Sequence, residues 1–125
     1  RDRSVSRGLG DVYKRQDLDK GFVSRFKSLV EERMKDAELN VEDLGRNMGM
    51  SRVQLYRKLK SLTNYSPNEL LRQMRLKKAA SLLASSDMTV AEIAYEVGFS
   101  SPSYFTKCYK EQFGESPTEF LKRRG

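Results

Sequence analysis

One pattern in this 125-residue chain occurs twice at an almost fixed offset. Val41, Leu44, Gly45, Met48, Gly49 and Met50 match Val90, Ile93, Ala94, Val97, Gly98 and Phe99, forty-nine residues on. Past the turn the offset becomes fifty: Ser51, Leu55, Arg57, Leu59, Lys60, Ser66, Pro67, Glu69 and Leu70 match Ser101, Phe105, Lys107, Tyr109, Lys110, Ser116, Pro117, Glu119 and Phe120. The second turn is therefore one residue longer. Each copy reads as a short helix, a glycine turn, a second helix, and a Ser-Pro-x-Glu that opens a third. Two copies are too few for a solenoid, which usually needs at least ~3 stacked units. A duplicated helix-turn-helix fits better, and it implies two contacts with the major groove of DNA.

Local signals place the helices. Asn40 with Asp43, Ser51 with Gln54, Ser66 with Glu69 and Thr89 with Glu92 are N-terminal caps, the last three at capping-box spacing. Ser101 and Ser116 start two more, each followed by proline at the first helical position, where a missing N–H costs nothing. Gly49 and Gly98 end the short helices in the left-handed conformation that a sharp turn requires. Gly45 and Ala94 are expected to be small because the second helix of each motif crosses close by. Phe22, Phe26, Leu29, Val30 and Met34 recur at helical spacing from Leu18 to about Met34. The expected fold is all-α, with two helix-turn-helix lobes joined by a central connector and about seven helices. The first motif is placed at residues 40–63, the connector at 67–84, the second motif at 89–113 and a last helix at 117–123, within a domain of residues 17–125. Residues 1–16 lack apolar periodicity, are expected to be disordered, and read as a non-native leader.

Composition narrows the chemistry. With no histidine and one cysteine, the chain holds no internal disulfide framework, no Cys/His zinc site and no histidine-based catalysis. Cys108 reads as a small core residue. No catalytic residue, metal or cofactor is implied, and no run is apolar enough to span a membrane. A formal net charge of +7 suits a polyanionic partner. Its placement is more informative than its total. The first helix of each motif is acidic on balance, whereas Arg52, Arg57, Lys58 and Lys60 stand without an acid between Ser51 and Leu62.

On the second helix of the first motif, Leu55, Leu59 and Leu62 share one face, as do Phe105, Tyr109 and Gln112 on its counterpart, with Cys108 beside them. At about 100° per residue, Val53, Arg57 and Lys60 point the other way, flanked by Tyr56 and Gln54. Ser103, Lys107 and Lys110 do the same in the second motif, flanked by Tyr104 and Thr106. Arginine forks onto guanine edges, glutamine bridges adenine, and apolar atoms touch thymine methyls. Arg52, Val53, Gln54, Tyr56, Arg57, Ser103, Tyr104 and Lys107 are therefore candidate base contacts, with Arg57 foremost. Ser51, Lys60, Ser101, Thr106 and Lys110 are candidate phosphate contacts. On the connector, Arg72, Arg75, Lys77 and Lys78 are available to the DNA backbone or to solvent.

The run Ser51-Arg52-x-Gln54-Leu55-Tyr56-Arg57-Lys58-Leu59-Lys60, then Ser66-Pro67-x-Glu69, Arg75-Leu76-x-x-Ala79 and Ile93-Ala94-x-x-Val97-Gly98-Phe99-Ser100-Ser101-x-Ser103-Tyr104-Phe105, resembles the DNA-binding domain of the AraC/XylS transcription regulators. The resemblance covers about Phe22 to Lys122. It implies two recognition helices in adjacent major-groove segments of double-stranded promoter DNA, with base contacts at Val53, Tyr56, Arg57, Ser103, Tyr104 and Lys107. Phe105 through Gly114 is most similar to the output domain of Bacteroides-type hybrid two-component sensor proteins. That likeness implies the C-terminal output piece of a larger, dimeric, membrane-anchored parent controlling carbohydrate-use genes, the piece itself being cytoplasmic, nucleoid-associated and monomeric when isolated. RNA polymerase is a further implied partner. Two alternatives stand beside this reading: a fragment of a stand-alone regulator of the same family, and a basic helical module that docks on an acidic protein.

Overall fold

The structure, a computed structural model, describes residues 20–124; the expected leader at 1–16 lies outside them. Among the described residues there are seven helices and no strand. They are α1 over residues 20–33, α2 Val41–Asn47, α3 Arg52–Thr63, α4 Pro67–Ser85, α5 Val90–Glu96, α6 Pro102–Phe113 and α7 Pro117–Arg124.

Short-range hydrogen bonds set the helix starts. Ser51, Ser66 and Thr89 accept from the backbone N–H three residues on, while Gln54, Glu69 and Glu92 reach back to the cap N–H. Ser116 and Glu119 form the same reciprocal pair, at 3.1 and 2.9 Å, so the repeated Ser-Pro-x-Glu is a capping box in both copies. Asn40 and Ser101 cap through their side-chain oxygens alone. Each cap satisfies an otherwise free N–H and contributes about 1 kcal/mol. At the other ends, α3 and α6 stop on left-handed Asn64 and Gly114, fifty residues apart.

The first motif corrects one expectation. A Cβ on Gly45 would stand 2.8 Å from the Met50 carbonyl oxygen, so the turn rather than a crossing helix demands the small residue. The cause is the chain folding back: Met50 N–H donates to the Gly45 carbonyl at 2.8 Å. Phe99 N–H makes the matching bond to Ala94 at 2.9 Å.

Two separate cores result. Phe26, Val30, Leu39, Val41, Leu44, Leu55, Leu59, Leu70 and Leu71 close the first lobe; Leu76, Ala79, Leu83, Ile93, Ala94, Val97, Phe99, Phe105, Cys108 and Tyr109 close the second. Fully burying a side chain such as Phe26 or Phe105 contributes about 1.5–3 kcal/mol. Cys108 is buried, as its apolar neighbours suggest, whereas Gln112 lies exposed beyond the core stripe.

Helix α4 serves both cores. At about 100° per residue, Leu70, Leu71 and Met74 lie roughly opposite Leu76, Ala79 and Leu83 around its axis. The first three pack into the first lobe and the last three into the second. The helix therefore has no single apolar face; its N-terminal half belongs to one lobe and its C-terminal half to the other. Its nineteen residues span roughly 28 Å. At the far end, an Arg124 guanidinium N–H donates to the Leu83 carbonyl, and Arg123 forks onto Glu115 at 3.2 and 3.0 Å, tying α7 back onto the second lobe.

Candidate nucleic-acid interface

Burial of Leu55 and Leu59 fixes the rotation of α3, and that rotation turns Val53, Tyr56, Arg57 and Lys60 outward. Val53 is 57% exposed and Tyr56 47%, large apolar surfaces left in water on a helix that has already buried its core stripe. Arg57 enters no ion pair among the described residues. The other cations of this helix are partly engaged. Arg52 stands 3.9 Å from Glu42 across the turn, an exposed pair of little energetic weight. Lys58 does not join the outward row: its ammonium sits 4.9 Å from the centre of the Phe22 ring on α1. The Gln54 side-chain oxygen accepts from the Ser51 N–H at 2.9 Å, which leaves its NH₂ available.

Helix α6 is oriented by Phe105, Cys108 and Tyr109, so Ser103, Tyr104, Lys107 and Lys110 are exposed while Ser101 and Thr106 are half-buried. Tyr104 is 49% exposed. Its ring lies 5.8 Å from that of Phe99, which in turn packs edge-on to Phe105 at 5.3 Å. The aromatic is thus braced on one side and open on the other. Ser101 Oγ accepts from Tyr104 N–H at 3.1 Å, so its hydroxyl proton remains free to donate.

The two lysines assigned to phosphates occupy matched surroundings. Glu69 is held below the usual carboxylate range by the Ser66 hydroxyl and N–H, with Lys60 and Arg72 contributing. Ser116 does the same for Glu119, with Lys110 and Lys122 contributing. Lys60 and Lys110 thus occupy matched, exposed positions that each add to the field on the capping glutamate of the following helix. Connector cations divide three ways. Arg72 is exposed and lines a cleft of about 420 Å³ with Asn68, Ser100 and Tyr104. Lys77 and Lys78 line a different groove with Lys27 and Glu31. Arg75 turns inward, donating to the Asp36 carbonyl at 2.8 Å. Asn68 and Arg72 thus adjoin the α6 surface. Sequence offered only a helical charge pattern for Arg72 and no signal for Asn68, because their neighbours come from the other lobe.

Comparison with known proteins agrees with this architecture. Residues 44–123 match the helix-turn-helix domain family. A histidine kinase, P4, of Formosa agariphila is 36% identical over 106 residues, covering 85% of this chain and 8% of that protein. The C-terminal domain of AraT, a response regulator from Geobacillus stearothermophilus, superposes with a TM-score of 0.77 at 30% identity, covering 82% of this chain and 84% of that one. The DNA-binding domain of the transcriptional factor AdpA, solved with a target DNA, gives 0.75 at 30% identity over 80% and 89%. The chain spans well under half the length of the curated relatives it matches. With a duplicated motif, two cores and a shared connector in place, the chain belongs to the AraC-type helix-turn-helix domains of transcription regulators.

Proposed function

We propose that this domain binds promoter DNA by inserting α3 and α6 into adjacent major-groove segments. The observation that carries the reading is the pair of matched outward faces: Val53, Tyr56 and Arg57 on one helix, Ser103, Tyr104 and Lys107 on the other. Each sets cationic or polar donors beside exposed side chains that its own core leaves unpacked. Arg57 forks onto a guanine, Tyr56 and Val53 meet thymine methyls, and Tyr104 reaches base edges from its seat on Phe99. Arg52 and the free amide end of Gln54 supply further base contacts. Ser51, Ser101, Thr106, Lys60 and Lys110 contact phosphates, fixing register without reading sequence. The short side chains at Val53 and Ser103 leave room for bridging water.

The relatives support an output role in a longer two-component protein, since AraT is a response regulator and P4 a histidine kinase. Control of carbohydrate-use genes, dimerisation through the parent, a contact with RNA polymerase, and residence at the nucleoid rest on the sequence resemblance alone. A hydroxyl-radical footprint tests the central reading. Two protected patches on one face of the duplex, about 10 base pairs apart, are expected. Salt-sensitive binding without any footprint would instead mark a generic basic module.

A further inference from the structure

Three pieces of the chain meet at one point between the lobes. The Arg75 side chain leaves α4 between its two apolar faces, and its Nη2 donates to the Asp36 carbonyl at 2.8 Å in the loop after α1. Gly98, in the turn that leads to α6, lies directly under that side chain and against the Met34 carbonyl. A Cβ there would sit 2.8 Å from Arg75 Nε and would overlap the Met34 oxygen. Beside them, Lys35 Nζ lies 3.3 Å from Glu96 Oε1. Asp36 is itself held by Glu38 N–H at 2.9 Å and Arg33 at 3.1 Å. The loop thus belongs firmly to the first lobe, and the turn to the second.

Comparison of the two copies shows that this contact is no requirement of the motif. Gly49 matches Gly98, has a similar positive φ of 70° against 95°, and has nothing within 4 Å of a would-be Cβ. The second turn alone is pressed against the opposite lobe. Arg75 Nε is buried there with no hydrogen-bond partner, a cost accepted where the guanidinium fills the crease.

We infer that Arg75, with Gly98 and the Lys35–Glu96 pair, is a positioning device that locks α6 at a fixed angle to α3 and so sets the spacing of the two DNA segments read. The inference rests on the proposed two-helix DNA reading. A single connector helix with core on opposite sides holds each lobe by half its length, so a second tie beside it removes the remaining freedom to bend or twist. Arg75 touches no base in this scheme; it acts through the turn before α6.

The test uses duplexes carrying the two sequence blocks that the domain enriches from a random DNA pool, at the preferred spacing and at one and two base pairs more or less. Wild type, Arg75→Ala and Lys35→Glu are titrated against each, with thermal unfolding measured in parallel. Lys35 is 72% exposed, so its charge reversal weakens the tie without threatening the core. Both variants are expected to reduce the ratio of affinities between preferred and shifted spacings, by a factor of about 2 to 30 for Arg75→Ala. A lowered unfolding temperature with an unchanged ratio in both variants would reduce Arg75 to a stabilising residue and overturn the inference. A wild-type domain with no preferred spacing would instead overturn the two-helix reading beneath it.

Discussion

At the scale of single residues, the physical question is which cations remain free once the fold has used those it needs. Helix α3 looks uniformly basic in sequence, yet Lys58 lies over Phe22 and Arg52 leans toward Glu42, leaving Arg57 as the unengaged guanidinium on the outward face. Arg57→Ala is expected to cost about 1–3 kcal/mol on a matched site and to relax preference at one base pair, measured by competition against single-base variants. Equal losses on matched and random duplexes would demote Arg57 to a phosphate contact. Lys60→Ala should weaken all duplexes alike and flatten the salt dependence, whereas Lys58→Ala should leave that slope unchanged. A shallower slope for Lys58→Ala would show that its stacking on Phe22 gives way when DNA binds.

At the scale of helices, four reciprocal caps define the starts of α3, α4, α5 and α7. In three of them the reaching side chain is a glutamate held below its ordinary value of 4.5 by cap hydrogen bonds: Glu69, Glu92 and Glu119. A depressed folded value means that the stabilisation is fully present above about pH 4.5 and is lost as pH falls through the lower folded values. Thermal unfolding should therefore shift little between pH 5 and 7 and fall below about 4.5. Replacing the three glutamates by glutamine should flatten that fall; an unaltered acid limb would assign it to other carboxylates. The glycine turns offer a second check. Gly49→Ala meets only its left-handed backbone and should cost about 1–2 kcal/mol, while Gly98→Ala also meets the Met34 carbonyl and should cost more by urea unfolding. These caps and turns were legible in sequence because their chemistry is local, three or four residues in reach. The reason for Gly45 was not: its constraint is a carbonyl in the following turn, and a helical wheel does not show it.

For the molecule as a whole, the duplication gives two similar lobes but leaves open how they are joined. The outward faces of α3 and α6 could be read from the stripes Leu55–Leu59 and Phe105–Tyr109, since a buried stripe fixes what lies opposite. What escaped the sequence is long-range. Arg75 meets a carbonyl thirty-nine residues away, and Gly98 meets Met34 at a still greater separation. Nor does the spacing of Leu70, Leu71, Leu76, Ala79 and Leu83 reveal that the connector divides its allegiance between two cores. Only the fold shows that a helix with apolar residues on opposite sides carries both lobes at once. Selection of bound duplexes from a random pool shows whether one domain makes two linked readings of DNA. Two enriched sequence blocks about one helical turn apart are predicted, with preference relaxed in one by Arg57→Ala and in the other by Lys107→Ala. A single enriched block, unaffected by Lys107→Ala, would contradict the account.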